Sequence, residues 1–79
     1  MEKQTTIRLF GVLTDIVGKD YLEINNVENT DDLVKQLYHD YPLLVKNKFR
    51  IAVDNNFIET NTLIDPGSIV ALMPPFSGG

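Results

Sequence analysis

Residues 65–73 read "DPGSIVALM", a turn signal followed at once by an almost wholly apolar run. Asp65, Pro66 and Gly67 are residue types that reverse a chain readily: Pro66 presets φ, and Gly67 accepts the positive φ that other residues resist. The run from Ser68 to Met73 does not alternate polar with apolar side chains. A strand with one wet face would alternate, so this one is predicted to lie centrally, covered on much of both faces.

Neighbours for that strand are found on working outward. "TTIRLFGVL" (residues 5–13) alternates, with Ile7 and Leu9 on one side and Thr6, Arg8 and Phe10 on the other, where Phe10 breaks the polar pattern. In "LTDIVG" (13–18), Leu13, Ile16 and Val17 share one face of a short helix that Gly18 would stop. "YLEI" (21–24) reads as a second strand, hairpin-like with the first. The clearest helix is "NTDDLVKQLYHDY" (29–41): Thr30 is placed to cap it, and Asp31 and Asp32 sit at the positive end of its dipole. Its apolar stripe is Leu33, Val34, Leu37, Tyr38 and Tyr41, and Pro42 ends it. A loop carrying Leu43, Leu44 and Val45 leads to "FRIAV" (49–53) and "FIE" (57–59), a short hairpin around "DNN". The expected architecture is therefore α+β: one main helix across a mixed sheet of about five strands, the first and last side by side in the middle.

Seventy-nine residues make one domain, able to bury about 60% of the surface its unfolded chain exposes. A hydrophobic share of 43% and a charged share of 23% are ordinary globular values, which excludes disordered and repetitive classes. Cysteine is absent, which removes disulfides, thiolate metal sites and a cysteine nucleophile together. Seven basic against eleven acidic residues give a net charge of −4, with no dense cationic run to neutralise phosphates; nucleic acid is not the expected partner. The N-terminus lacks an apolar leader segment and no apolar run is long enough to span a bilayer, so the expected location is the cytoplasm, without membrane contact.

Few side chains offer chemistry. His39, the single histidine, has no cysteine or second histidine to join it and reads as a solvated residue on the helix. Asp31 and Asp32 read as first-turn acids rather than a general acid and base. No metal site is expected.

The end of the chain is different. "PPFSGG" (74–79) places Pro74 and Pro75 directly after the last strand, then Phe76, Ser77, Gly78 and Gly79. At a typical glycine usage of about 7%, two closing glycines arise by chance in about one chain in 200. The prolines cannot donate to a sheet ladder and favour extended geometry, so they end the strand and project the chain from the body. Extended, these residues reach roughly 20 Å. Gly78 and Gly79 have no β-carbon and suit a channel too narrow for other residues. The division expected is a domain over residues 1–73 and a flexible tail over 74–79, whose reactive group is the Gly79 α-carboxylate. A carboxylate becomes an electrophile only when activated, normally as a mixed anhydride with a nucleotide, and this chain has no phosphate-cradling loop to do so itself.

From "IRLFG" through "DLVKQL" and "DPGSIVALM" to "PPFSGG", the whole chain resembles the ubiquitin-like sulfur carriers of the MoaD/ThiS family, and its ending is similar to that of the small subunits of molybdopterin synthase. That group typically closes with two prolines, an apolar residue, a small or hydroxyl residue and two glycines; carriers of thiamine synthesis share the diglycine but usually lack the diproline. The resemblance implies a β-grasp fold and a protein that is not an enzyme on its own. It implies that an E1-like (MoeB-like) adenylating enzyme uses ATP to activate Gly79, and that a sulfur donor protein then converts it to a thiocarboxylate. The tail, Pro74, Pro75, Phe76, Ser77 and Gly78, would thread into the large subunit, where sulfur passes to cyclic pyranopterin monophosphate in molybdenum cofactor biosynthesis. The family assembles as a heterotetramer, with small subunits at opposite ends of a large-subunit dimer. Its partner-facing surface implies contacts at Phe10, Phe57 and Met73, which strand alternation turns away from the helix together with Ile69 and Ala71. No bound cofactor is implied. Phe76 stands where a smaller aliphatic residue is usual. Two alternatives remain: a carrier for another pathway, such as thiamine or tRNA thiolation, and a protein modifier joined to targets through Gly79.

Overall fold

The computed structural model describes residues 4–75. Strand β1 (Gln4–Leu9) is followed by helix α1 (Val12–Val17), β2 (Tyr21–Asn25), helix α2 (Thr30–Asp40), a 3₁₀ helix (Pro42–Lys46), β3 (Arg50–Val53), β4 (Asn56–Ile58) and β5 (Ile69–Met73). The five strands form one mixed sheet in the order β2-β1-β5-β3-β4. Its central pair, β1 and β5, is parallel, and every other pair is antiparallel. "SIVALM" thus does form a central strand, flanked by β1 and β3, but it is covered on one face only. Val70 and Leu72 are buried, while Ile69 is exposed and Ala71 and Met73 are partly so, because both helices pack on the same side of the sheet.

Register decides which side chains are inside. Ile7 lies opposite Val70 and Leu9 opposite Leu72 across β1 and β5, while Val70 and Leu72 meet Val53 and Ile51 across β5 and β3. Because side chains alternate with period two, this pairing gathers all the inward residues on one face. There Ile7, Leu9, Leu22, Ile24, Val53, Val70 and Leu72 pack against Leu13 of α1, Leu33 and Leu37 of α2, and Val27, Leu44 and Ile64. Removing each such side chain from water stabilises the fold by about 1.5–3 kcal/mol. Within this layer the Thr5 hydroxyl is buried with no hydrogen-bond partner among the described residues.

Two turns follow directly from their residues. Asp54 and Asn55 have φ of 49° and 70° between the paired residues Val53 and Asn56. Positive φ at both central positions is what a type I′ hairpin requires, and Asp and Asn tolerate it. In the 65–68 turn, Gly67 has φ 86° and the Ser68 N–H donates to the Asp65 carbonyl at 3.0 Å, so glycine meets a positive φ that a β-carbon would strain.

Three local expectations need correction. The α2 cap is Asn29 rather than Thr30: the extended Asn29 accepts from the Asp32 N–H through its side chain at 2.9 Å. Thr30 is instead buried, and its hydroxyl accepts from the Thr62 N–H at 2.9 Å, holding the 60–62 segment to the helix start. Residues 43–45 are not an irregular loop. Pro42, with φ preset and no N–H to lose, opens a 3₁₀ helix in which Leu44 alone is buried while Leu43 and Val45 stay exposed. Tyr38, placed on the apolar stripe, is exposed and makes an edge-to-face contact with Phe49 at 6.2 Å between ring centroids. No helix among the described residues is long and apolar enough to cross a membrane.

Candidate functional site

Both helices pack on one face of the sheet, and the opposite face carries the candidate site. Register places Arg8 beside Ala71, Ala71 beside Ala52 and Ala52 beside Phe57, one row running across four strands. Thr6 pairs with Ile69, and Arg50 with Met73. Past the end of β1 the Phe10 N–H donates to the Leu72 carbonyl at 3.2 Å, which extends the ladder by one residue and sets Phe10 level with Met73.

The relief of this face follows from side-chain size. Ala52 and Ala71 form a low floor, and larger residues stand around it: Phe10 is 41% exposed, Phe57 44% and Ile69 48%, with Met73 partly buried. The Arg50 guanidinium lies 4.0 Å from the Phe57 ring centroid, a cation–π contact that lays the arginine stem along the sheet. A depression of about 400 Å³ opens between Arg8, Phe10, Ile69 and Ala71 and the Asp54–Asn55 turn. Aromatic and aliphatic residues rimmed by arginines compose a surface suited to burial against another protein.

Asp54 braces one end of this face. Its carboxylate accepts from the Ile69 N–H and from the Ser68 hydroxyl, each at 3.0 Å, while its own N–H donates to the Ile69 carbonyl at 2.9 Å. The β3–β4 turn is thereby bolted to the first residue of β5.

At the opposite end of β5 lies the root of the tail. Pro74 is buried and Pro75 exposed. Pro74 rests on Gly11, the residue joining β1 to α1: a β-carbon built on Gly11 would stand 2.7 Å from Pro74 Cγ and 3.4 Å from its Cδ. Gly11 itself has φ 61° and ψ −139°, a backbone conformation essentially confined to glycine.

Of the candidate residues, Phe10, Phe57 and Met73 are brought onto one face, and Pro74 leaves the sheet beside Phe10 and Met73. Phe76, Ser77, Gly78 and Gly79 lie outside the described residues. Sequence reasoning missed Gly11, Arg50 and Asp54. A glycine directly after an outward aromatic at a strand end was a usable signal for Gly11; nothing in the linear sequence joins Arg50 to Phe57 or Asp54 to Ser68. His39 is exposed in the last turn of α2, away from this face. Among the described residues no group of three or more His, Asp or Glu side chains converges as metal ligands would.

The model of the ThiS family matches residues 7–79. The chain belongs to the ThiS family. Solved structures similar to this ThiS-family chain include the small archaeal modifier protein 1 of Methanosarcina acetivorans, with 22% identity, TM-score 0.80, and 100% of this chain and 99% of that one covered. A Pyrococcus furiosus protein provisionally assigned as subunit 1 of molybdopterin converting factor aligns with TM-score 0.84 at 18% identity, over 91% of this chain and 97% of that one. A third, from a complex of subunits 1 and 2 of molybdopterin-converting factor of Helicobacter pylori, gives 23% identity and TM-score 0.71, covering 96% and 99%. At these identities the likeness establishes the shared ubiquitin-like β-grasp fold of the ThiS-family chain.

Proposed function

We propose that this ThiS-family chain is a cytoplasmic sulfur carrier, the small subunit of a molybdopterin synthase. The observation that carries the reading is the placement of an exposed apolar face, Phe10, Phe57, Ile69 and Met73, next to the root of a tail that continues to Gly78 and Gly79. The Helicobacter pylori neighbour, described as a complex of two subunits, supports a large-subunit partner for such a face.

In this reading residues 1–73 with the seated Pro74 form the docking body, and the segment from Pro75 onward is the tail that threads into the partner. A separate E1-like enzyme uses ATP to convert the Gly79 carboxylate to an acyl adenylate, releasing pyrophosphate. A sulfide equivalent from a donor protein attacks the carbonyl and displaces AMP, leaving a thiocarboxylate. In the large subunit, which supplies the catalytic side chains, that sulfur bonds to a carbon of cyclic pyranopterin monophosphate. Water then attacks the Gly79 carbonyl, breaking the acyl C–S bond so that sulfur stays on the pterin and the carboxylate is regenerated; two such transfers build the dithiolene. The carrier needs no cofactor of its own.

The second reading is a protein modifier joined through Gly79 to lysines of targets, favoured by the Methanosarcina acetivorans neighbour, which is described as a modifier protein. Intact mass separates them. After incubation with ATP, a sulfur source and the adenylating enzyme, the carrier gains the mass difference between sulfur and oxygen, and loses it as molybdopterin appears once large subunit and cyclic pyranopterin monophosphate are added. A gain that forms but is not discharged leaves the carrier chemistry and moves the chain to another pathway, such as thiamine or tRNA thiolation. No gain, with diglycine remnants on other proteins, establishes the modifier.

A further inference from the structure

We propose that Gly11 and Pro74 form a seat that fixes the direction in which the tail leaves the sheet, making Gly11 a positioning residue for the reactive end of the chain; the inference rests on the carrier reading. Pro74 is buried although it follows the last strand residue, and its ring lies against Gly11, close enough that a β-carbon there would meet Pro74 Cγ at 2.7 Å. The unusual φ and ψ of Gly11 are explained locally by the turn from β1 into α1. The close approach is a separate requirement, because a β-carbon 2.7 Å from Pro74 Cγ would displace the ring whatever the turn conformation.

The surface under Pro74 is firmly held. The Phe10 N–H donates to the Leu72 carbonyl at 3.2 Å, the Leu13 N–H to Phe10 at 3.3 Å and the Thr14 N–H to Gly11 at 3.1 Å, while the Leu9 N–H donates to Asp20 at 2.9 Å. The Thr14 hydroxyl adds a longer bond to the Leu9 carbonyl at 3.4 Å. A proline on that platform has its own φ locked by its ring, and Pro75 follows with the same restriction. Direction at the root matters because five residues, Pro75 to Gly79, follow Pro74 in the sequence, a length of up to roughly 17 Å if extended, and the reactive carboxylate is at its end. Phe10 precedes Gly11 in the chain, so a partner covering Phe10 bears on the turn that seats Pro74. Docking of the face and aim of the tail are thereby tied to one turn.

The test compares Pro74→Ala, Gly11→Ala and the double variant with wild type, each loaded with sulfur and checked by thermal melting. Single-turnover discharge at saturating large subunit reads the aim of the tail, and the Kd for the large subunit reads the face. Pro74→Ala is expected to slow discharge by about tenfold or more, since misplacement of even about 1 Å at a reacting centre is costly, while Kd changes by less than about threefold. Gly11→Ala acts through the same ring, so the double variant discharges about as fast as Pro74→Ala alone. Pro74→Ala discharging at the wild-type rate, or losses that multiply in the double variant, overturn the seat. If Gly11→Ala does not fold, Pro74→Ala still decides. Should wild type itself fail to load, the carrier reading falls, and the seat is read from ¹⁵N heteronuclear NOE values at Ser77 and Gly78: lower values in Pro74→Ala uphold it and equal values overturn it.

Discussion

Placing a carboxylate on the proposed docking face beside the root of the tail, with Phe10→Asp, gives a loss that can be worked from the structure. Phe10 retains 41% of its surface exposed, and burying a whole phenylalanine stabilises by about 1.5–3 kcal/mol, so the part left for a partner contributes about 1 kcal/mol on docking. The aspartate adds an unpaired polar group under the partner, costing about 2 kcal/mol more. A total near 3 kcal/mol is a roughly 100-fold weaker complex. The covered part of the ring is lost to the fold as well, at about 1–1.5 kcal/mol, lowering Tm by about 5–12 °C and leaving the domain folded at room temperature. Calorimetric titration with the large subunit, beside a melt followed by circular dichroism, measures both. Tyr38→Asp is the control, since Tyr38 is comparably exposed but lies on α2, behind the sheet. A folded Phe10→Asp protein that binds like wild type, or a Tyr38→Asp protein that loses as much affinity, refutes the assignment of the outer face as the docking surface.

Other substitutions test the remaining parts. Removing Gly78 and Gly79 is expected to abolish molybdopterin formation in a reconstituted assay while Tm is unchanged and much of the partner affinity remains, because face and tail contribute separately. Asn29→Ala removes the side chain that accepts from Asp32 and is expected to cost about 1 kcal/mol in urea unfolding, a loss that Thr30 cannot make good because its hydroxyl is engaged by Thr62. Asp54→Ala removes two hydrogen bonds, at about 1 kcal/mol each, and puts alanine at positive φ for about 1 kcal/mol more. Asp54→Asn, which tolerates that conformation and keeps an acceptor, should lose less than half as much in the same unfolding series.

Most of the fold was legible because its two signals are local. The unalternating run "SIVALM" marked the central strand, and the alternation in "TTIRLFGVL" placed Ile7 and Leu9 inside and Phe10 outside, as the β1–β5 register has them. Where reading failed, a competing long-range contact had taken the residue. Thr30 has the side chain of a cap, yet its hydroxyl is claimed by a segment some thirty residues away, and the neighbouring Asn29 caps in its place. The 3₁₀ helix was missed because a single buried leucine, Leu44, carries no periodicity to detect.

The candidate site divides in the same way. Phe10, Phe57 and Met73 could be assigned to a face by parity alone, since alternation is a property of each strand in isolation. Their nearness to one another, the stacking of Arg50 on Phe57 and the bolting of Asp54 to the start of β5 depend on which strands pair and in what register.

By itself the sequence determined the strand parity, the main helix, the turn chemistry and the character of the ending, because each is written in residues a few positions apart. Only the tertiary structure decided that Pro74 comes to rest on Gly11, sixty-three residues earlier in the chain, and so joins the root of the tail to the docking face. That contact exists because β1 and β5 run parallel, side by side, and finish at the same end of the sheet. A parallel pairing brings the two strands' ends together whatever chain lies between them, and no local pattern in either strand encodes it.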